Sequence, residues 1–113
     1  MQQLTYILRR LAELIETHPD GFTISSDMTE VPTKGYAVAV TQYCFGIEGL
    51  GWVLKTVGTN PTYHIGGWLD KESGRFYFDA VRVVETLAEA MQIAKETCQL
   101  AIFDLENATE IRL

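Results

Sequence analysis

The chain has 113 residues, 47% of them apolar and 21% charged, which suits one folded domain whose core stands without metal or disulfide support. Its 15 acids against 9 bases give a net charge of −6, and the bases are scattered apart from Arg9 and Arg10, so direct binding to a nucleic-acid backbone is not expected. No stretch approaches the length of a membrane span, and no membrane association is expected.

In the first segment Leu4, Ile7, Leu8, Leu11 and Ile15 recur at helical spacing, with Arg9, Arg10, Glu13 and Glu16 on the other side. This predicts an amphipathic helix stopped by HPDG, where Pro19 and Gly21 punctuate the chain. The same charges interrupt the apolar run where a signal peptide would carry its hydrophobic region. FTIS (Phe22 to Ser25) reads as a short strand. SDMTEVPTKG reads as a polar and mobile loop containing Pro32, and GYAVAVT (Gly35 to Thr41) alternates as a strand does. The two strands are expected to form a hairpin with a long connection.

A second helix is expected from Gly46 to Val57, carried by Ile47, Leu50, Leu54 and Val57, with Gly58 as its C-terminal cap. Gly49 and Gly51 weaken such a helix by about 1 kcal/mol each relative to alanine, so close packing against another element is expected of it. The stretch HIGGWLDKESGRFYFDAVRVVE (His64 to Glu85) then reads as two strands around DKESG, a type I turn with a bulge. Asp70 is expected to hold that turn by hydrogen bonds to its own backbone. Gly66 and Gly67 predict a bulge or a close backbone approach.

Thr86-Leu87-Ala88-Glu89 is a capping box, and it opens a third helix. Leu87, Met91, Ala94 and Cys98 form its apolar stripe, widened by Ala90 and Ile93. AIFDL (Ala101 to Leu105) and TEIRL (Thr109 to Leu113) close the chain as strands around a Glu-Asn turn. The order α-ββ-α-ββ-α-ββ predicts a single α+β domain over residues 1–113. It is a two-layer sandwich with an antiparallel or mixed sheet of five to six strands and helices mainly on one face.

The strand faces carry information about partners. Phe76, Phe78 and Ala80 share one face, while Tyr77, Asp79, Val81 and Val83 share the other. Tyr36, Val38 and Val40 likewise oppose Ala37, Ala39 and Thr41. Neither set is the polar row of a solvated face. Either helices cover both faces, or one face keeps an apolar patch for a partner or a second copy.

GYAVAVT, FGIEGL and GGWLDKESGRFYFDAVRVVETLAEAMQIAKETCQLAIFDLENATEI together resemble a group of small uncharacterised proteins of gut bacteria, their phages and other mobile elements. The resemblance runs from about His18 to Ile111. Its distinctive pieces are the GGW-x-D-x-x-S-G-x-F-Y-x-D hairpin and the AIFDL strand. It implies a compact α+β fold and an accessory role in bacteria or their mobile elements. It carries over no activity and no catalytic residues.

Candidate chemistry therefore stands on the residues. Cys44 and Cys98 have no CxxC or zinc-type spacing and no nucleophile signature that would pair them with His64 or His18. They read as free thiols packed as small hydrophobes, which points to a reducing compartment and a cytoplasmic protein. A metal site would need three or four ligands from His64, Asp70, Asp79 and Asp104, at spacings the sequence does not supply. Asp79 and Asp104 would serve as a hydrolytic pair only on adjacent strands and one face. No Walker loop, GxGxxG, GxSxG or HExxH is present. No catalytic, cofactor or metal residue is assigned.

The aromatic group Tyr63, Trp68, Phe76, Tyr77 and Phe78 reads as cross-strand packing, since no basic cluster accompanies it. Trp68 and Tyr77 are also the residue types favoured at the centre of protein interfaces. The expected function is a small acidic interaction or regulatory module. It binds a protein partner, or itself as a homodimer, through an aromatic sheet face. The alternative is a small enzyme or ligand-binding domain with a pocket near His64, Asp79 and Asp104. A third reading, an acidic mimic of DNA from a mobile element, needs a helical line of acids that is not seen here.

Overall fold

Apolar periodicity and turn chemistry produce three helices and six strands among the residues described, 2–113, in a computed structural model of the chain. Helix α1 (Gln2–Thr17) leads into strands β1 (Gly21–Ser25) and β2 (Tyr36–Ala39). Helix α2 (Gly46–Thr59) precedes β3 (His64–Leu69) and β4 (Phe76–Val84), and α3 (Leu87–Glu96) precedes β5 (Ala101–Asp104) and β6 (Thr109–Arg112). Every pairing is antiparallel, in the order β1-β3-β4-β2-β5-β6. The fold is an α+β sandwich of one sheet and one helix layer.

The expected hairpin of β1 with β2 is not formed. β1 is an edge strand on β3, whereas β2 lies between β4 and β5. The connection, residues 26–35, carries no tight-turn chemistry that would return it beside β1. Its Met28 is drawn into the core instead, at 1% exposure. Asp27 ties the start of the loop by accepting hydrogen bonds from Ser25 Oγ and Thr29 Oγ1, both at 2.6 Å. The chain then passes the ends of β3 and β4 and enters the sheet beyond them.

Register decides which face the helices cover. Ile24 lies opposite Ile65, and Ile65 opposite Ala80. With Phe78 these residues pack against Leu11 and Leu14 of α1 and Leu50, Val53 and Val57 of α2. Complete burial of one such isoleucine contributes about 1.5–3 kcal/mol. Further along β4 the same face carries Arg82, whose side chain reaches solvent, and Val84. Val38, opposite Arg82, joins Val84 and Ile102 against Ala90, Ile93 and Ala94 of α3. Val40 packs on both clusters. All three helices therefore lie on one side of the sheet.

Local details correct several expectations. The buried stripe of α1 runs through Leu11 and Leu14, leaving Leu4 and Leu8 exposed. Helix α2 continues through Gly58 to an Asn60 cap. Only Gly49 of its two early glycines is in close contact, where a Cβ would come within 2.6 Å of Cys44 Cα; Gly51 has open space. Gly67 lets the rings of Phe22 and Phe76 close over it, since a Cβ there would meet both at 2.7 Å. No bulge interrupts the β3–β4 register.

The β3–β4 turn is held as expected. Asp70 accepts from Glu72 N at 3.1 Å and Ser73 Oγ at 2.8 Å, and Gly74 takes φ +75°. One arm of the capping box is formed, with Glu89 N donating to Thr86 Oγ1 at 3.2 Å; the Glu89 carboxylate accepts from that hydroxyl at 3.0 Å in place of the Thr86 backbone N–H. Helix α3 nevertheless turns Ala90, Ile93 and Ala94 inward, leaving Leu87 and Met91 exposed. Both cysteines are free thiols, Cys44 buried and Cys98 exposed. Among the described residues no helix is long and apolar enough to cross a membrane.

Candidate interaction face

The side of the sheet away from the helices is the candidate site. By alternation this side carries His64 and Trp68 from β3, Tyr77, Asp79, Val81 and Val83 from β4, Ala37 and Ala39 from β2, and Phe103 from β5; of these Val81 and Ala37 are already buried among their neighbours. Trp68 and Tyr77 are cross-strand partners, and their rings stack at 5.2 Å with 17° between planes. Such pairs contribute about 0.5–1.5 kcal/mol beyond simple burial. Trp68 is still 47% exposed and Phe103 40%. Toward β6 the apolar centre gives way to an ion pair, Arg112 Nε to Glu110 Oε2 at 3.6 Å. An apolar centre with a polar rim is the anatomy of protein interfaces.

Phe45 completes the aromatic row. The chain after β2 stays beside β4: Val40 N donates to Ala80 O, Phe78 N donates to Cys44 O at 2.7 Å, and Phe45 bridges to Tyr77. This sets the Phe45 ring edge-on to Tyr77 at 5.7 Å, with the Arg75 guanidinium 4.4 Å from the Phe45 centroid. Sequence reasoning did not single out Phe45, because its place depends on a ladder that continues past the regular strand. Aromatic character immediately before a helix start was the only local signal.

Asp79 sits inside this row. Thr41 Oγ1 donates to its Oδ1 at 3.1 Å and accepts from Ala80 N at 3.1 Å, so one hydroxyl ties the carboxyl to the ladder. Burial pushes the Asp79 pKa up to about 7, against the opposing hydrogen bonds from Thr41 and Trp68. Burial, and then the charge of Asp79, also raise the thiol of Cys44. That makes Cys44 a poor thiolate nucleophile. His64 lies diagonally across from Asp79, opposite Val81. Burial lowers its pKa, partly offset by Glu30 and Asp27, and its Nδ1 is buried with no hydrogen-bond partner among the described residues.

The three residues of the pocket reading do not converge. His64 and Asp79 share the bare face, but Asp104 pairs with Tyr36 and so belongs to the opposite side from Phe103 and Ala37. Asp104 anchors the β5–β6 turn, accepting from Glu106 N, Asn107 N and Asn107 Nδ2, which hold its pKa below the ordinary value. A groove of about 480 Å³ lies between the 41–45 segment and α2, beside Tyr43, Glu48 and Trp52, and includes neither His64 nor Asp79. Among the described residues no three His, Cys, Asp or Glu side chains are placed to share a metal ion.

No family model, curated protein or solved structure matches the chain. What defines its class is the fold and the face themselves: an α+β domain with one sheet surface under helices and the other open.

Proposed function

We propose that this chain is a small interaction module that docks through the open face of its sheet, with a second copy of itself as the partner. The observation that carries the reading is the placement of all three helices on one side, which leaves Trp68, Tyr77, Phe45, Val83 and Phe103 unburied or half-buried on the other. Contiguous apolar surface of this kind marks interfaces more often than monomer surface. The molecule measures 38 × 31 × 24 Å, and its shortest dimension suits one sheet and one helix layer. Six strands about 4.8 Å apart, the longest nine residues long, give a sheet face on the scale of the ~800 Å² that each partner of a standard interface contributes. Asp79 and His64 bring titratable groups near its centre and Arg75 lies at its edge on Phe45, so two copies of an acidic chain meet there with little repulsion. Two-fold pairing is the commonest form of such assembly.

The sheet face favours this reading over the enzyme alternative, since the three residues of that alternative do not come together: Asp104 lies on the opposite side from Asp79 and His64. The free thiols support a reducing, cytoplasmic setting. The resemblance to proteins of gut bacteria and their mobile elements supports an accessory role. Sedimentation at micromolar concentration tests the self-association. A dimer is expected for the wild-type chain and a monomer for folded Trp68→Glu and Tyr77→Glu variants. A wild-type chain that stays monomeric removes the second copy as the partner.

A further inference from the structure

Asp79 lies on β4, one of the two central strands of the sheet, so a second copy docked there by a two-fold operation comes down over it. Resting on the self-association proposed above, we infer that protonation of Asp79 gates the assembly: copies pair while this carboxyl is neutral and separate when it ionises.

The surroundings of the carboxyl carry the inference. Gly66, directly opposite on β3, brings no side chain to it. The titratable groups around it are Cys44 from the segment after β2, His64 diagonally across on β3 and Tyr77 on its own strand, and no helix packs on this side. Arg75 is engaged two rings away, on Phe45. Among the described residues Asp79 has no ion-pair partner; its donors are the neutral Thr41 hydroxyl and Trp68 indole. A copy of the same face would bring Trp68, Tyr77 and Val83 over the carboxylate, and the Arg75 guanidinium of that face is already engaged on Phe45. A charge buried in that way is removed by taking up a proton. The symmetry of the pair places one such group on each side of a single interface.

Burial in the unpaired chain already pushes the Asp79 pKa up to about 7, so modest changes in pH move its charge. Below that value free and paired copies both hold the proton, and pairing is unaffected by this group. Above it the free copy has lost its proton and pairing must recover one per copy, so Kd rises by up to about 100-fold per pH unit. Burial lowers the His64 pKa, which favours its neutral form under the same face.

Sedimentation equilibrium of the full chain and of Asp79→Asn, near pH 6 and near pH 8, tests this. Expected is a wild-type Kd that rises about 10- to 100-fold at the higher pH, with Asp79→Asn pairing equally at both. A wild-type dimer with equal Kd at the two pH values overturns the gate and leaves the self-association standing. A pH dependence that persists in Asp79→Asn assigns the proton elsewhere and also overturns it. If the wild-type chain and Asp79→Asn are monomers throughout, the self-association itself fails and the gate with it. Should Asp79→Asn not fold, the slope of log Kd against pH for the wild type decides, with about two protons per dimer expected and none contradicting the gate.

Discussion

Asp79 shows at the scale of one residue how a sheet face can hold a conflict. Its carboxyl is ordinary in sequence, one acid in FYFDAV, yet strand alternation puts it among Tyr77, Trp68 and Val81 rather than in water. Its pKa rises from 3.8 to about 7 as a result. A folded chain that binds this proton more tightly than the unfolded chain is stabilised fully below about pH 4. That contribution is lost as pH rises to about 7, and it stays lost above. Asp79→Asn should therefore be more stable than wild type at pH 8, by up to about 4 kcal/mol, with the gap closing toward pH 4. Urea melts at dilutions that keep the chain unpaired measure it, and a gap that is the same at both pH values contradicts the assignment. Asp79 and its facing direction were legible from the alternation of β4. The raised pKa was not, because the burial that causes it comes from strands and a return segment distant in sequence, and it outweighs the opposing hydrogen bonds from Thr41 and Trp68.

At the scale of the element, α3 is the part most fully written in local chemistry. The Thr86 hydroxyl accepts from Glu89 N at the helix start, the N-cap arm of a capping box, and donates in turn to the Glu89 carboxylate. Thr86→Ala should cost about 1 kcal/mol of stability, measured by denaturant melts; no loss would mean that the hydroxyl does not hold the helix start. The inward face of the same helix was less legible. Its small residues Ala90 and Ala94 admit close approach to the sheet beside Ile93, and this turns Met91 outward at 48% exposure. Hydrophobicity alone ranks methionine above alanine and so centres the stripe on Leu87 and Met91, where the buried face runs through its other members Ala90, Ile93 and Ala94. β1 and β2 teach a related lesson. Their strand character was visible in alternation and composition, but their partners depend on where residues 26–35 carry the chain. Met28 sets that path through core packing that no local pattern encodes.

For the whole molecule, element order and the two-layer class followed from periodicities and turns, since these are local properties that tertiary packing reinforced. The coverage of the sheet did not follow. The sequence left open whether helices shield both faces, and only the register joining Ile65, Ala80, Val38 and Ile102 to the same helix layer decides it. Of the candidate residues, Trp68, Tyr77, His64 and Asp79 come together on the open face, while Asp104 serves a turn on the other side. The central claim is that this open face is where one copy meets another. Isotope-filtered nuclear Overhauser measurements on a mixed sample of labelled and unlabelled chains, near pH 6, test it most directly. Contacts between copies are expected at the ring protons of Trp68 and Tyr77 and the methyls of Val83. Contacts confined to the outer surface of α2, around Ile47 and Trp52, or none at all in a sample whose chain is folded, would contradict it.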